Sequence, residues 1–386
     1  MSKESYDWKA DFKKWLNECF IKGKVRGNVY LDSAAATKPF PIAIQALCET
    51  PCGNPNSSHA EGQVARQALD AATAKIKHLI GATSGTVHYF PTATSAAQNA
   101  IYSAIAVGYA TIRYDTEHHS VGDHTFLQTE IAESRPANGL YLHCRMLANN
   151  ETGERYGKPT MSGRDLWLCD ATAALGHINL DVEQLGCHYL VGDSLKFNGI
   201  PGCAFVWSAD GAPWYSLIEG GTPSVGLICA MAAALEWHYD HMKENTEHLV
   251  SMRNDLAVRL LSSVDGAILN TPINHSDVSE TPDMRSVYYS DGGNAALPHI
   301  LNISFTGVDG KALALMCSQR GVMVSAGAAC TSGNNEPSHV LMAMFNDESR
   351  ARSAIRISLS HENTVEECDE AAKIIADCVT TLREIG

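Results

Sequence analysis

The chain has 386 residues, 45% of them hydrophobic, and a formal net charge of −14. Such a length can bury more than one core, so two domains are expected. The acidic balance, with no Lys/Arg run and no basic–aromatic interleaving, excludes direct nucleic-acid or membrane-surface binding.

No stretch reaches the ~18 consecutive apolar residues of a membrane-spanning helix. Residues 1–20 are charged throughout and hold no apolar signal core. The twelve cysteines are scattered and contain no CxxC pair, which disfavours a disulfide scaffold, a zinc ribbon or an iron–sulfur ligand set. Cys169 and Cys203, inside apolar runs, read as small buried hydrophobes. A reducing, cytoplasmic compartment is the expectation.

In chain order, the apolar pattern predicts a helix over 61–80 stopped by Gly81, a strand over 87–90 and a helix over 95–107. Strands are expected at 110–114, 141–147, 166–169, 188–191 and 204–207. Short, nearly continuous apolar strands separated by helices imply an α/β, doubly wound, mainly parallel sheet covered on both faces. Ligands gather outside the strand carboxyl ends of such a sheet. Beyond residue 238 the spacing predicts a long helix over 226–245 and another to Leu261, then a polar loop over 272–297. Strands at 299–305 and 354–359 follow. The last helix places Val365, Cys368, Ala372, Ile375, Val379 and Leu382 on one stripe, capped by Thr364-x-x-Glu367. The expected organisation is a large domain over 30–237 and a smaller α+β domain over 238–386, joined by 1–29 with a helix at 8–20.

Several polar segments stand at element boundaries. Lys196 lies between a hydrophobic strand and a Gly-rich turn, where a desolvated amine can form a Schiff base. Its plainer reading is an exposed loop lysine. Asp170 ends a strand, where an acid can partner a pyridinium nitrogen or simply cap a helix. His118 follows another strand end and could stack on an aromatic ring. With His119 and His124 it lacks the acid or cysteine spacing of a metal site. Thr94 and Ser95 open a helix among small residues, a place for a phosphate or for an ordinary N-cap. Cys330 sits in the loop Ser325-Ala-Gly-Ala-Ala-Cys330-Thr-Ser-Gly, between a predicted strand (322–325) and a predicted helix (337–345). It has no bulky apolar neighbour, which suits delivery rather than packing. Asn149-Asn150-Glu-Thr-Gly, Asn54-Pro-Asn-Ser-Ser-His59 and Ala354-Ile-Arg356-Ile-Ser could each be turn chemistry.

Taken in order, Tyr30-Leu-Asp-Ser-Ala-Ala-Ala-Thr-Lys-Pro39, Gly53-Asn-Pro-Asn-Ser-Ser-His59, Thr116-Glu-His118, Asn149-Asn-Glu-Thr-Gly153, Asp170-Ala-Thr, Lys196-Phe-Asn-Gly, Leu301-Asn-Ile-Ser-Phe305, the Cys330 loop and Ile355-Arg-Ile-Ser-Leu359 resemble a pyridoxal-phosphate cysteine desulfurase of the NifS/IscS type. The resemblance runs over about residues 28–385 and implies fold type I and a homodimer with active sites at the interface. It implies that Lys196 carries pyridoxal 5'-phosphate as a Schiff base. Asp170 would hold the ring nitrogen, His118 would stack on the ring, and Asn150 would contact ring oxygen or substrate. It gives Thr94 and Ser95 the phosphate, with Thr222 supplied by the partner subunit. Arg356 would pair the carboxylate of L-cysteine. Cys330 would take the sulfur as a persulfide and hand it to an acceptor protein in iron–sulfur assembly, tRNA thiolation or DNA phosphorothioation.

Departures from the family pattern accompany the match. Leu195 stands where a histidine is usual, Ala173 where a glutamine is usual, and Asp193 where a phosphate-binding serine is usual. Ser194 is the expected replacement for that serine. These changes suggest a divergent branch. The rival readings are another pyridoxal-phosphate lyase for a C–S or selenocysteine bond, against which Cys330 argues, and a weakly active scaffold in a sulfur-transfer complex, which Leu195 and Ala173 favour slightly and the joint retention of Lys196, Asp170, His118, Arg356 and Cys330 opposes more strongly.

Overall fold

A computed structural model describes residues 28–122, 139–217, 221–273, 296–327 and 336–385. The expected helix at 8–20, most of the polar loop at 272–297, and Cys330 itself lie outside the described residues. The first half runs β1 (Val29–Tyr30), α1 (Pro41–Glu49), α2 (Ala60–Leu79), β2 (Thr86–Phe90), α3 (Ala93–Ala106), β3 (Ala110–Arg113) and α4 (His119–Gly122). Next come β4 (Tyr141–Met146), β5 (Leu166–Asp170), α5 (Val182–Leu185), β6 (Tyr189–Asp193), a 3-10 turn (Ser194–Lys196) and β7 (Ala204–Ser208). The second half contains α6 (Val225–Asp240), α7 (Met242–Ser263), β8 (Ala267–Leu269), β9 (Ile300–Phe305), α8 (Gly310–Gln319) and β10 (Val322–Met323). It ends with α9 (His339–Phe345), α10 (Glu348–Arg352), β11 (Ala354–Ser358) and α11 (Val365–Ile385).

Six strands form the main sheet in the order β2-β7-β6-β5-β4-β3. β3 to β6 are parallel, and β7 and β2 close one side in antiparallel pairing. The two faces follow from side-chain alternation along a strand. Trp167 and Cys169 of β5 join a core with Ile76 of α2 and Leu235 of α6. Leu166 and Leu168 point the other way, into a core with Ala97, Ala100 and Ile101 of α3. Both faces are apolar because both are covered, as expected for parallel strands.

A separate three-stranded sheet, β11-β9-β8, is antiparallel. Leu301, Ile303, Ile355 and Ile357 pack there with Leu256 and Leu260 of α7 and Ile375 and Val379 of α11. The expected stripe on α11 holds at Cys368, Ala372, Ile375 and Val379. Val365 departs from it: it opens the helix ahead of the packed stretch and is 45% exposed. The expected single helix over 226–245 is two helices. His241 breaks it: its Nδ1 donates to Trp237 O at 2.8 Å and its ring stacks on Trp237 at 4.3 Å. A side chain folded back on the preceding turn ends α6, and α7 starts one residue on.

Candidate active site

The carboxyl ends of β4, β5 and β6 and the N-terminus of α3 surround a cavity of about 180 Å3. Met146, Asp170 and Asp193, the last residues of those three strands, all line it. Parallel strands end together on one side of the sheet, so residues distant in sequence meet there. Thr92, Ala93, Thr94, His118, Asn150, Thr172, Ala173, Leu195 and Lys196 complete most of the wall.

Lys196 ends the 3-10 turn after β6. Its Nζ donates to the carbonyl oxygens of Ala34 at 2.9 Å and Ala35 at 2.7 Å. Those contacts tie the amine to the segment after β1, which also holds Thr37 on the Leu195 carbonyl. Asp170 is buried, and its Oδ1 accepts the Thr172 N–H at 3.0 Å. The neighbouring Thr172 Oγ1 is buried without a partner.

His118 Nδ1 accepts the Ser120 N–H at 3.1 Å and lies 2.9 Å from Ser120 Oγ. Burial lowers its pKa, against the raising effect of Asp170 and with the help of Lys196. A neutral ring with an accepting Nδ1 carries its proton on Nε2. Glu117, next to it, anchors this segment: both carboxylate oxygens accept the Met146 N–H, at 2.9 and 2.8 Å. Burial pushes the Glu117 carboxyl up to about 8, against the Met146 hydrogen bond.

Asn149 shapes the adjoining turn. Its Oδ1 accepts from the N–H groups of Glu151 and Thr152, and Nδ2 donates to Thr116 O at 3.1 Å. That turn presents Asn150 to the cavity, while the Asn150 carbonyl accepts from Arg356 Nη1 at 3.0 Å. Arg356 is 1% exposed, and its Nη2 pairs with Asp32 at 2.8 Å. It therefore stands behind Asn150 and does not itself line the cavity.

The expected phosphate residues are divided. Thr94 lines the cavity with Thr92 and Ala93. Ser95 is engaged in a capping box: its Oγ donates to Thr92 O at 2.8 Å, and its N–H donates to Thr92 Oγ1 at 3.2 Å. Thr92, absent from the sequence-derived candidates, is the N-cap. Ser194 is fully buried and faces away from the cavity, against the Gly199 turn, where a Cβ on Gly199 would stand 1.9 Å from its Oγ. Ser194 therefore does not take the phosphate-facing place expected of it. Asp193 lines the cavity instead, accepting from the N–H groups of Ala93 at 3.1 Å and Leu195 at 2.9 Å. Thr222 is exposed, accepts from Asn54 Nδ2 at 3.2 Å, and is not part of the cavity.

Two residues that the sequence did not mark, His177 and His299, also line the cavity. They are 122 positions apart (299 minus 177), with no shared motif to connect them. Among the described residues no group of three or more His, Cys, Asp or Glu side chains is arranged to hold a metal ion. No helix among them is long and apolar enough to cross a membrane.

Residues 208–370 match the aminotransferase class-V family model. A cysteine desulfurase of Enterobacter agglomerans is 28% identical over 93% of this chain and 94% of its own. A putative cysteine desulfurase, IscS 1, of Bacillus subtilis is 29% identical over 92% of this chain and 99% of its own. Among solved structures, a NifS-like protein superposes with a TM-score of 0.76 at 24% identity, covering 92% of this chain and 100% of its own. The NifS-like protein of Rickettsia africae gives 0.75 at 22%, covering 91% and 99%. A structure described as SspA in complex with cysteine gives 0.63 at 19%, covering 87% and 99%. Fold and whole-length sequence similarity agree: the chain has the fold of the NifS-like proteins and is similar along most of its length to cysteine desulfurases of the NifS/IscS type.

Proposed function

We propose that this protein is a pyridoxal-phosphate-dependent cysteine desulfurase that converts L-cysteine to L-alanine and carries the released sulfur as a persulfide on Cys330. The observation that supports it most is the meeting of an amine (Lys196), a buried carboxylate (Asp170) and an imidazole (His118) in one cavity beside a helix N-terminus. The unpartnered Thr172 Oγ1 leaves a hydroxyl there for a bound polar group. These residues fit pyridoxal phosphate, with one exception at its phosphate end, where Asp193 stands.

Pyridoxal phosphate, when bound, supplies an electron sink for bonds at the amino-acid Cα and Cβ. Lys196 would hold it covalently and, once displaced by substrate, move the Cα proton. Asp170 would keep the ring nitrogen protonated. His118, neutral in its buried setting, would lie against the ring and offer its Nε2–H. Thr92 and Thr94, at the N-terminus of α3, would receive the phosphate. Arg356 would pair the substrate carboxylate. It stands behind Asn150, so it would do so once its Nη1 leaves the Asn150 carbonyl, while Nη2 stays on Asp32.

Cys330, as thiolate, would attack the substrate sulfur. An S–S bond forms as the Cβ–S bond breaks, the electron pair stays on carbon, and protonation there yields alanine. A homodimer would bring Thr222 to the partner's cavity, and an acceptor protein would take the persulfide sulfur. Incubation of purified protein with L-cysteine and a thiol reductant tests the reading. Equal amounts of alanine and sulfide are expected; absence of alanine rejects it.

A further inference from the structure

His299 and His177 share the cavity wall with Lys196, and the chemistry above uses neither. Their rings are stacked, with centroids 3.8 Å apart and planes at 25°. His177 is fixed from behind: its Nε2 donates to the Lys196 carbonyl at 3.3 Å, and its ring meets His238 edge-on. His238 in turn donates from Nε2 to Asn198 Oδ1 at 2.9 Å.

His299 is 3% exposed, yet its Nδ1 has no hydrogen-bond partner. An unsatisfied buried polar nitrogen costs about 1–3 kcal/mol, and a ligand that fills the cavity would supply the missing partner. Burial first, then the positive charges of neighbours that include Arg253 and Arg356, hold the imidazole neutral. A neutral ring with Nδ1–H can donate to an anion without titrating. A carboxylate, which only accepts, suits such a donor.

We propose that His299 is a substrate-binding residue whose Nδ1–H donates to the α-carboxylate of the amino-acid substrate, and that His177 is a positioning residue holding the ring by stacking. The inference rests on the reading of the cavity as an amino-acid site. L-alanine and L-alaninamide differ only at the carboxylate and separate this contact from general damage. In calorimetric titration of holoenzyme, His299→Leu is expected to weaken L-alanine by about tenfold, or ~1.4 kcal/mol, and to leave L-alaninamide unchanged. His299→Gln, which keeps an N–H, should recover most of that loss. His177→Phe, which keeps a stacking ring, should bind L-alanine more tightly than His177→Ala.

Equal weakening of both ligands, or unchanged L-alanine binding in His299→Leu with a normal cofactor band, overturns the assignment. Should His299→Leu lose the cofactor band, His299→Gln and His299→Phe carry the comparison: equal L-alanine affinity in that pair also overturns it. Wild-type protein that binds L-alanine but makes none from cysteine rejects the desulfurase reading and leaves the His299 test intact.

Discussion

Asp193 Oδ2 accepts the backbone N–H of Ala93 at 3.1 Å, so a carboxylate occupies the first amide of the 14-residue helix α3. The same carboxylate caps the turn that carries Lys196, through Leu195 N–H at 2.9 Å. A fixed negative charge at a helix N-terminus takes the place that an incoming phosphate would use, and repels it at short range.

Asp193→Asn removes the charge and keeps one accepting oxygen, enough for the Leu195 N–H of the Lys196 turn. Titration of apoprotein, followed by tryptophan fluorescence, should show pyridoxal phosphate binding about tenfold more tightly. Pyridoxal, which has no phosphate, should bind as in wild type. Equal changes for the two would place the effect elsewhere.

Ser194→Ala tests the neighbouring position from the other side. Ser194 Oγ is buried without a partner and faces the Gly199 turn, so its removal relieves an unsatisfied hydroxyl. Cofactor affinity is expected to stay within about twofold of wild type, with no loss of melting temperature. A tenfold fall in affinity would return Ser194 to the phosphate site.

Lys196→Ala removes the amine held by the Ala34 and Ala35 carbonyls. Borohydride treatment followed by peptide mass analysis should find a reduced cofactor adduct at Lys196 in wild type and none in the variant. An adduct that persists would refute the assignment of this lysine.

Cys330→Ala should keep the cofactor absorbance and lose persulfide, with most alanine formation gone. Alanine production at the wild-type rate would reject Cys330 as the sulfur acceptor within the chain.

Acid should unfold the protein earlier than a chain with exposed histidines. Burial lowers His177 to about 4 and His238 to about 2. Both folded values lie below the unfolded value of about 6.5, so the unfolded state binds more protons in that window. Stability is then fully present above about pH 6.5 and is lost as pH falls toward 4. Melting temperature measured from pH 7 to pH 4.5 should fall steeply in wild type and less steeply in His238→Gln, which can still donate to Asn198.

Strand and helix positions were legible because both faces of the main sheet are apolar and the connecting helices are amphipathic or capped. β5 is fully buried along its length, and its continuous run Leu-Trp-Leu-Cys already reads as a covered parallel strand. The break at His241 was not legible: nothing in the spacing of 226–245 marks it, and it depends on a ring folding back onto Trp237.

By itself, the sequence determined the fold class and the family resemblance, and it singled out Lys196, Asp170 and His118, because strand ends and short polar motifs are local features. Tertiary structure alone decided which neighbours share their cavity. It placed Asp193 on helix α3, turned Ser194 away beneath Gly199, and set Arg356 behind Asn150. It also brought His299 against His177. These are contacts between elements far apart in the chain, and such contacts arise only when the parallel strands end together and the second sheet docks beside them.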